Sequence, residues 1–275
     1  MLKVELTQNT KLSTKEYLER NRSAWEKKVD FDVLSEYYDV EGFLTGKNML
    51  DKLETDGLGA INNKSVLHLQ CYFGLEALTL AKLGANVTGL DFCRNAISKA
   101  YELKEKTGID AQFVCADVYD ASKMLDSEFD LIFSSYGSIC WLPDLSKWVE
   151  NIFSLLKPGG SFFLLDFHPL LISFNLLRNK TIKFSYFNNE DPVKLIRTGT
   201  YADLNAKVKT TEYNWNHSIS EIITTFIKQG MQIQDFKEYP FIPLNAFPGL
   251  IREVDGYNHV HNDLYPILFS LKVSK

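Results

Sequence analysis

The sequence predicts an α/β protein built on a doubly wound, mostly parallel sheet of seven strands whose last strand is antiparallel. Three observations predict it. Short apolar runs alternate with amphipathic stretches over about 100 residues from Ser65 onward, the pattern of βα units. The second apolar run ends on an acidic residue, Asp91. The final two strand-like runs lie close enough in sequence to pair antiparallel at one edge of the sheet.

A chain of 275 residues with 45 % hydrophobic residues can bury the core of one α/β domain with additions. The net charge of -5 argues against a surface that tracks phosphate backbones, which needs clustered Lys and Arg, so a nucleic-acid partner is not expected. No run approaches the ~18 apolar residues of a membrane span, and the first residues lack an apolar signal-peptide core. A cytoplasmic protein without a membrane partner, monomeric or homodimeric, is expected. Cys71, Cys93, Cys115 and Cys140 fall at successive strand ends with no Cys-x-x-Cys pair, and His259-x-His261 with Asp263 reads as a polar loop. No metal site is expected.

The elements follow in order. Residues Ser13 to Lys28 suggest an amphipathic helix opened by a capping box of Ser13 and Glu16. An aromatic segment with Tyr37, Tyr38 and Phe43 follows, a lid or a packing element. Val66, Leu67 and Leu69 suit a strand buried on both faces, and Leu75, Leu78, Ala81 and Leu83 recur at helical spacing until Gly84. The next strand ends at Asp91. Arg94 to Lys106 reads as a helix, Gln112 to Cys115 and Phe129 to Ser134 as strands, and Trp148 to Leu156 as helix. Lys157-Pro-Gly-Gly160 is a turn before a fifth strand, Ser161 to Phe167. Residues Pro169 to Trp215 break this rhythm, with alternating stretches at Lys183 to Phe187 and Lys207 to Tyr213 that predict an inserted antiparallel hairpin, a lid or dimer element. Ser218 and Glu221 open a helix to Gln229, stopped by Gly230. Met231 to Glu238 and Leu264 to Val273 are the last two strands. The division expected is an N-terminal helical cap or lid over 1–60 and a sheet domain over 61–275, interrupted by the insertion 169–215.

A carboxylate ending the second strand, about 20 residues past a Gly-bearing loop, is placed to accept hydrogen bonds from both hydroxyls of a ribose. The loop itself, Gln70-Cys-Tyr-Phe-Gly74, holds one glycine, whereas a dinucleotide site wants G-x-G-x-x-G so that backbone NH groups approach a pyrophosphate. A nucleoside ligand without phosphates fits, and a nicotinamide dehydrogenase is disfavoured by the missing glycine triad.

At these residues the chain resembles the class I S-adenosylmethionine-dependent methyltransferases, whose first motif is typically V-L-D-L-G-C-G-x-G. His68 stands for the usual acidic residue and Gln70 and Tyr72 for two glycines, while Cys71 and Gly74 are kept. It is similar to a bacterial small-molecule-type subgroup whose loop reads H-L-Q-C-H-F-G, with an N-terminal N-R-x-x-W at Asn21 to Trp25 and counterparts of V-T-G-x-D-F-S, A-D-V-Y-D, S-Y-G-x-x-C-W-L-P-D-L, P-G-G, H-P and W-x-H-S later on.

The resemblance implies a Rossmann-like sheet, S-adenosylmethionine as methyl donor, S-adenosylhomocysteine as product and a small-molecule acceptor methylated on O or N. It implies cofactor contacts from Trp25, Gln70, Cys71, Tyr72 and Gly74, from Asp91 to the ribose, from Phe92, Asp117 and Val118 to the adenine, and from Ser134 and Ser135 near the acceptor. Tyr136, Trp141, Tyr186, Tyr201 and Trp215 are candidate acceptor-pocket aromatics. A hydroxyl acceptor needs a base where an amine or thiol often does not, and His168 and His217 are the candidates. Each also has a structural alternative, in a turn and at a helix start respectively. The eroded glycine loop leaves open a non-catalytic protein that binds or senses the cofactor.

Overall fold

The computed structural model describes residues 12–175, 181–189, 191–244 and 247–275. The expected cap and insertion each include residues outside these, namely 1–11 in the first and 176–180 and 190 in the second. The strands are β1 (Ser65–Leu69), β2 (Asn86–Asp91), β3 (Gln112–Cys115), β4 (Phe129–Ser135), β5 (Leu156–Phe167), β6 (Val193–Thr198), β7 (Lys209–Asn214), β8 (Gln232–Tyr239), β9 (Phe241–Ile242), β10 (Ile251–Arg252), β11 (Asn258–His259) and β12 (Leu268–Ser274). The helices are α1 (Thr14–Glu26), α2 (Val29–Val33), α3 (Val40–Leu44), α4 (Lys52–Leu58), α5 (Leu75–Lys82), α6 (Arg94–Thr107), α7 (Ala121–Met124), α8 (Leu145–Leu155), α9 (Pro169–Ser173) and α10 (Ile219–Lys228).

Seven strands form one sheet in the order β3-β2-β1-β4-β5-β12-β8. The pairs from β3 to β5 are parallel, and β12 runs antiparallel to both β5 and β8. This is the Rossmann-like methyltransferase arrangement. The strand order reverses between β1 and β4, so the crevice at their carboxyl ends is where such a sheet binds ligands. Both faces are covered. Leu75, Leu78, Ile97 and Leu58 from α5, α6 and α4 pack with Val66 and Leu131 on one side. Trp148, Ile152, Ile222 and Phe226 from α8 and α10 pack with Leu67, Ile132 and Leu271 on the other. Burial on two faces explains why β1 and β4 are rich in apolar residues without a period-two alternation, despite His68 and Asp130.

The structure departs from expectation in three places. Lys183 to Phe187 is not a strand. Lys183 and Phe187 are exposed, and Ser185 Oγ closes a local turn on both the NH and the carbonyl of Phe187. The hairpin is instead made by β6 and β7, paired from Val193 with Asn214 to Thr198 with Lys209. Residues Lys157 to Gly160 lie within β5 as a bulge, the register against β4 jumping from Leu156 to Ser161. A small sheet in the order β10-β11-β9 fills the connection between β8 and β12. Among the described residues, no helix is long and apolar enough to cross a membrane.

Candidate active site

The loop after β1 keeps the backbone of a glycine-rich turn while carrying side chains. Gln70 and Tyr72, which stand where the methyltransferase motif has glycines, hold φ of 54° and 50°, and Gly74 holds 78°. Left-handed φ costs an L-residue roughly 1–2 kcal/mol, so the surroundings must hold both residues there. Gln70 Nε2 donates to the Ser138 carbonyl at 2.9 Å, the Tyr72 hydroxyl donates to Asp32 Oδ2 at 2.8 Å, and the Tyr72 NH donates to Asp91 Oδ2 at 2.9 Å. Tyr72 is thereby part of the pocket wall. At Gly74 an added Cβ would lie 2.6 Å from the Phe113 ring and 3.2 Å from Ala100. That direction is the core, so packing under the loop requires this glycine, and an approach to ligand is not what a Cβ there would block.

Asp91 ends β2 and is 5 % exposed, with Oδ1 accepting from the Cys93 NH at 2.8 Å. Burial pushes its carboxyl up to about 6, against the pull of the Cys93 and Tyr72 NH groups. Each oxygen takes one backbone NH and keeps acceptor capacity for a ligand. Phe92 and Val118 line the same cavity, with Asp117 between two roles: its Oδ1 caps a short 3-10 turn by accepting from the Tyr119 NH at 3.0 Å, and it faces the cavity. Burial raises the Asp117 carboxyl as well.

The roof is built from α1 and the hairpin. Glu26, at the end of α1, accepts from the NH groups of Arg94 and Asn95 at 2.8 and 2.9 Å, supplying the α6 N-terminus with the carboxylate it lacks locally. Asn21 is 1 % exposed and bonds both the carbonyl and the NH of Tyr213, at 2.7 and 2.8 Å, as a strand neighbour would. Lys28 meets Glu212 at 2.6 Å with both side chains buried, and Arg197 reaches the same carboxylate at 2.8 Å. Against burial, these two cations hold Glu212 below the usual carboxylate range. Trp25 packs edge-on against Tyr72, Trp141 and Tyr201, with ring centroids 5.1, 5.2 and 6.0 Å apart. Aromatics from α1, the β1 loop, the segment after β4 and the hairpin thus meet over one cavity of about 350 Å³.

Of the expected site residues, Trp25, Gln70, Cys71, Tyr72, Gly74, Asp91, Phe92, Asp117, Val118, Ser135, Tyr136, Trp141, Tyr201, Trp215 and His217 line this cavity. Ser134, Tyr186 and His168 are not among its lining. Ser134 is fully buried within β4, and the Tyr186 hydroxyl accepts from the Ile219 NH at the start of α10. His168 is the N-cap of α9: its Nδ1 accepts from the Leu170 NH at 3.2 Å, so its Nε2 donates to Glu238 at 2.8 Å. Both nitrogens are taken, and the imidazole is spent on a helix start, where the structural alternative read from the sequence was a turn. His217 lines the cavity with both nitrogens engaged, Nε2 donating to the Leu142 carbonyl at 2.7 Å and Nδ1 bonding Glu221 at 2.9 Å. That bond draws the Glu221 side chain away from the expected capping box, of which only the Ser218 half forms.

Sequence reasoning missed Lys28, Asp51, Glu54 and Glu76, all of which line the cavity. Asp51 and Glu54 form a D-x-x-E capping box at the start of α4, a pattern that ordinarily marks a solvated helix end. Nothing in one sequence signals that this box is buried.

Residues 67–164 match the family model described as a methyltransferase domain. The match runs from β1 into β5 and so contains Asp91, Asp117 and the loop between β1 and α5. Within the curated proteins, a 104-residue stretch is 33 % identical to the ubiquinone biosynthesis O-methyltransferase of Coxiella burnetii (strain Dugway 5J108-111), covering 38 % of this chain and 43 % of that relative. The chain therefore matches less than half the length of that protein. The ubiquinone biosynthesis O-methyltransferase of Aliivibrio fischeri (strain MJ11) is 23 % identical over 238 residues, 85 % of this chain and 93 % of that one. The solved S-adenosylmethionine dependent methyltransferase from Mesorhizobium loti superposes with a TM-score of 0.55 at 17 % identity, covering 84 % of this chain and 100 % of that one. The chain thus has the fold of that structure.

Proposed function

We propose that the protein transfers a methyl group from S-adenosylmethionine to a hydroxyl or amine of a small molecule. The observation that carries this reading is Asp91, a buried carboxylate at the end of β2 that faces the cavity at the switch point of the sheet. Its neighbours fit an adenosyl group: the loop backbone at Gln70 and Tyr72 keeps its glycine-like turn, and the buried Gln70 Oε1 has no partner among the described residues, a vacancy that a ligand donor fills. Asp91 would take the ribose hydroxyls, Phe92 the adenine face, Asp117 and the Val118 NH the adenine edge, and the loop from Gln70 to Gly74 the amino-acid end.

When bound, the cofactor supplies an already activated sulfonium methyl. The chain's own work is then to hold an acceptor atom in line with it, for which positioning contributes several kcal/mol, up to about 7–11 in well-oriented systems. Trp25, Trp141 and Tyr201 keep water from that point, and α1 with the hairpin β6–β7 serves as the lid. Ser135, the last residue of β4, and Tyr136 after it face the acceptor. The curated relatives named as O-methyltransferases support a transferase acting on a metabolite, and the net charge of -5 disfavours a nucleic-acid acceptor. The test is release of S-adenosylhomocysteine when the protein and labelled cofactor meet a panel of small hydroxyl and amine compounds. Tight cofactor binding with no release from any acceptor overturns catalysis in favour of a cofactor-binding protein.

A further inference from the structure

We propose that the methyl acceptor is an amine, bound as its ammonium by the carboxylates of Asp51, Glu54 and Glu76 at one end of the cavity. The inference rests on the methyltransferase reading and names its substrate class. Asp51 and Glu54 come from the start of α4 and Glu76 from the first turn of α5, and Tyr136, following β4, donates its hydroxyl to Asp51 Oδ2. Glu54 is 2 % exposed. Its Oε2 accepts from the Asp51 NH at 2.9 Å, while Oε1, buried, has no hydrogen-bond partner among the described residues. His68 Nδ1, on the wall of the same cavity, is buried without a hydrogen-bond partner among the described residues too.

These orphaned atoms share a chemistry. Glu54 Oε1 accepts once its carboxyl is ionised, and His68 Nδ1, on a neutral imidazole that burial holds near 3, is able to accept. An ammonium is the ligand that brings several donors and no acceptor, and the aromatic wall that includes Tyr37, Tyr38 and Trp25 suits both its charge and an apolar body. A divalent metal does not fit, because no group of three carboxylate, histidine or cysteine side chains among the described residues is placed to hold one.

Among the described residues, no cation pairs with Asp51, Glu54 or Glu76. Burial raises Glu54 well above the usual carboxylate range, and the negative charges of Asp51 and Glu76 add to it. Burial also lifts Glu76 to about 7, with Asp51 the charged neighbour acting on it. Tyr37, Tyr136, Tyr257 and Cys71, ionisable groups that also face these carboxylates, are themselves pushed up by burial and by one or more of them. A bound ammonium supplies the missing positive charge, and a carboxylate this basic is able to take a proton back from it. In the transfer, one proton passes from the ammonium nitrogen to a cluster carboxylate. The freed lone pair forms the N–C bond to the methyl carbon as the C–S bond breaks with its electron pair going to sulfur, leaving a methylated ammonium and a neutral thioether.

The experiment is a calorimetric titration of S-adenosylhomocysteine-saturated protein with phenethylamine and butylamine, each against its alcohol counterpart, 2-phenylethanol and 1-butanol, at one ionic strength. The amines are expected to bind at least about tenfold more tightly than the alcohols, and Glu54→Gln and Glu76→Gln each to erase about that preference. Cofactor-product affinity should stay within about twofold in both variants. Equal binding of amines and alcohols, or a preference retained in both variants, overturns the proposal. So does a tenfold loss of S-adenosylhomocysteine affinity in the variants, which would assign the carboxylates to the cofactor's own ammonium. Failure of the wild type to bind S-adenosylhomocysteine, read before any amine is added, sinks the methyltransferase reading and this proposal with it.

Discussion

Replacing Lys28 by methionine tests how the roof is held. Lys28 Nζ lies 2.6 Å from Glu212, the two side chains are 2 % and 1 % exposed, and the ammonium sits 4.4 Å over the Trp25 ring. Removing one partner of a buried pair costs about 3–5 kcal/mol, because the other charge is left uncompensated. Here Glu212 keeps Arg197 at 2.8 Å and the Thr210 hydroxyl at 2.7 Å, so the low end, about 3 kcal/mol, is expected. For a chain of this size that corresponds to a fall in Tm of roughly 5 °C. Urea denaturation of Lys28→Met supplies the first number. The double variant Lys28→Met/Glu212→Leu supplies the second: with the carboxylate gone, Arg197, at 19 % exposure, reaches water, and stability should recover above that of the single variant. A loss below about 1 kcal/mol in Lys28→Met, or a double variant less stable than the single one, refutes the reasoning that a stranded buried carboxylate is what Lys28 prevents.

Two further outcomes follow from the loop and from Asp91. Gly74→Ala should destabilise the fold by about 2 kcal/mol or more, from positive φ and contact with Phe113, with Phe113→Leu recovering part of it; unchanged stability with weakened cofactor affinity would move the role of Gly74 back to the ligand. Ribose hydroxyls bind the ionised form of Asp91, so S-adenosylhomocysteine affinity should be full above pH 7 and fall about tenfold per unit below the raised value of about 6. Without ligand the sign reverses: a raised carboxylate is a cost to folding above that value, relieved as pH falls towards its unfolded value near 3.8. Calorimetry across pH 5 to 8 checks the first, and a flat profile contradicts it.

What the sequence made legible was local or periodic. The βα alternation from Ser65 to Phe167 follows from two-sided burial of short strands, and Gln112 to Cys115 coincides with β3. The reversed β12 was readable because β8 and β12 carry strand-like runs with no helix between them. Other features depend on tertiary placement. Helices α2 to α4 are five to seven residues long, too short for a periodic signal. The Asp51–Glu54 box looks solvated in sequence and is buried by the fold. His168, which precedes a proline at a strand end, reads in sequence as a base candidate or a turn histidine, and only the fold shows it capping α9 with Pro169 at the first helical position. The hairpin was placed in the right segment, but the alternation at Lys183 to Phe187 had no strand to pair with.

The measurement that bears most directly on the account is a calorimetric titration of the wild-type protein and Asp91→Ala with S-adenosylhomocysteine. Loss of charge-assisted bonds to two ribose hydroxyls predicts saturable binding to the wild type and affinity weaker by about one to two orders of magnitude in the variant, with the fold intact by circular dichroism. A wild type that does not bind, or a folded Asp91→Ala that binds within about threefold of it, contradicts the claim that this cavity holds the methyl donor.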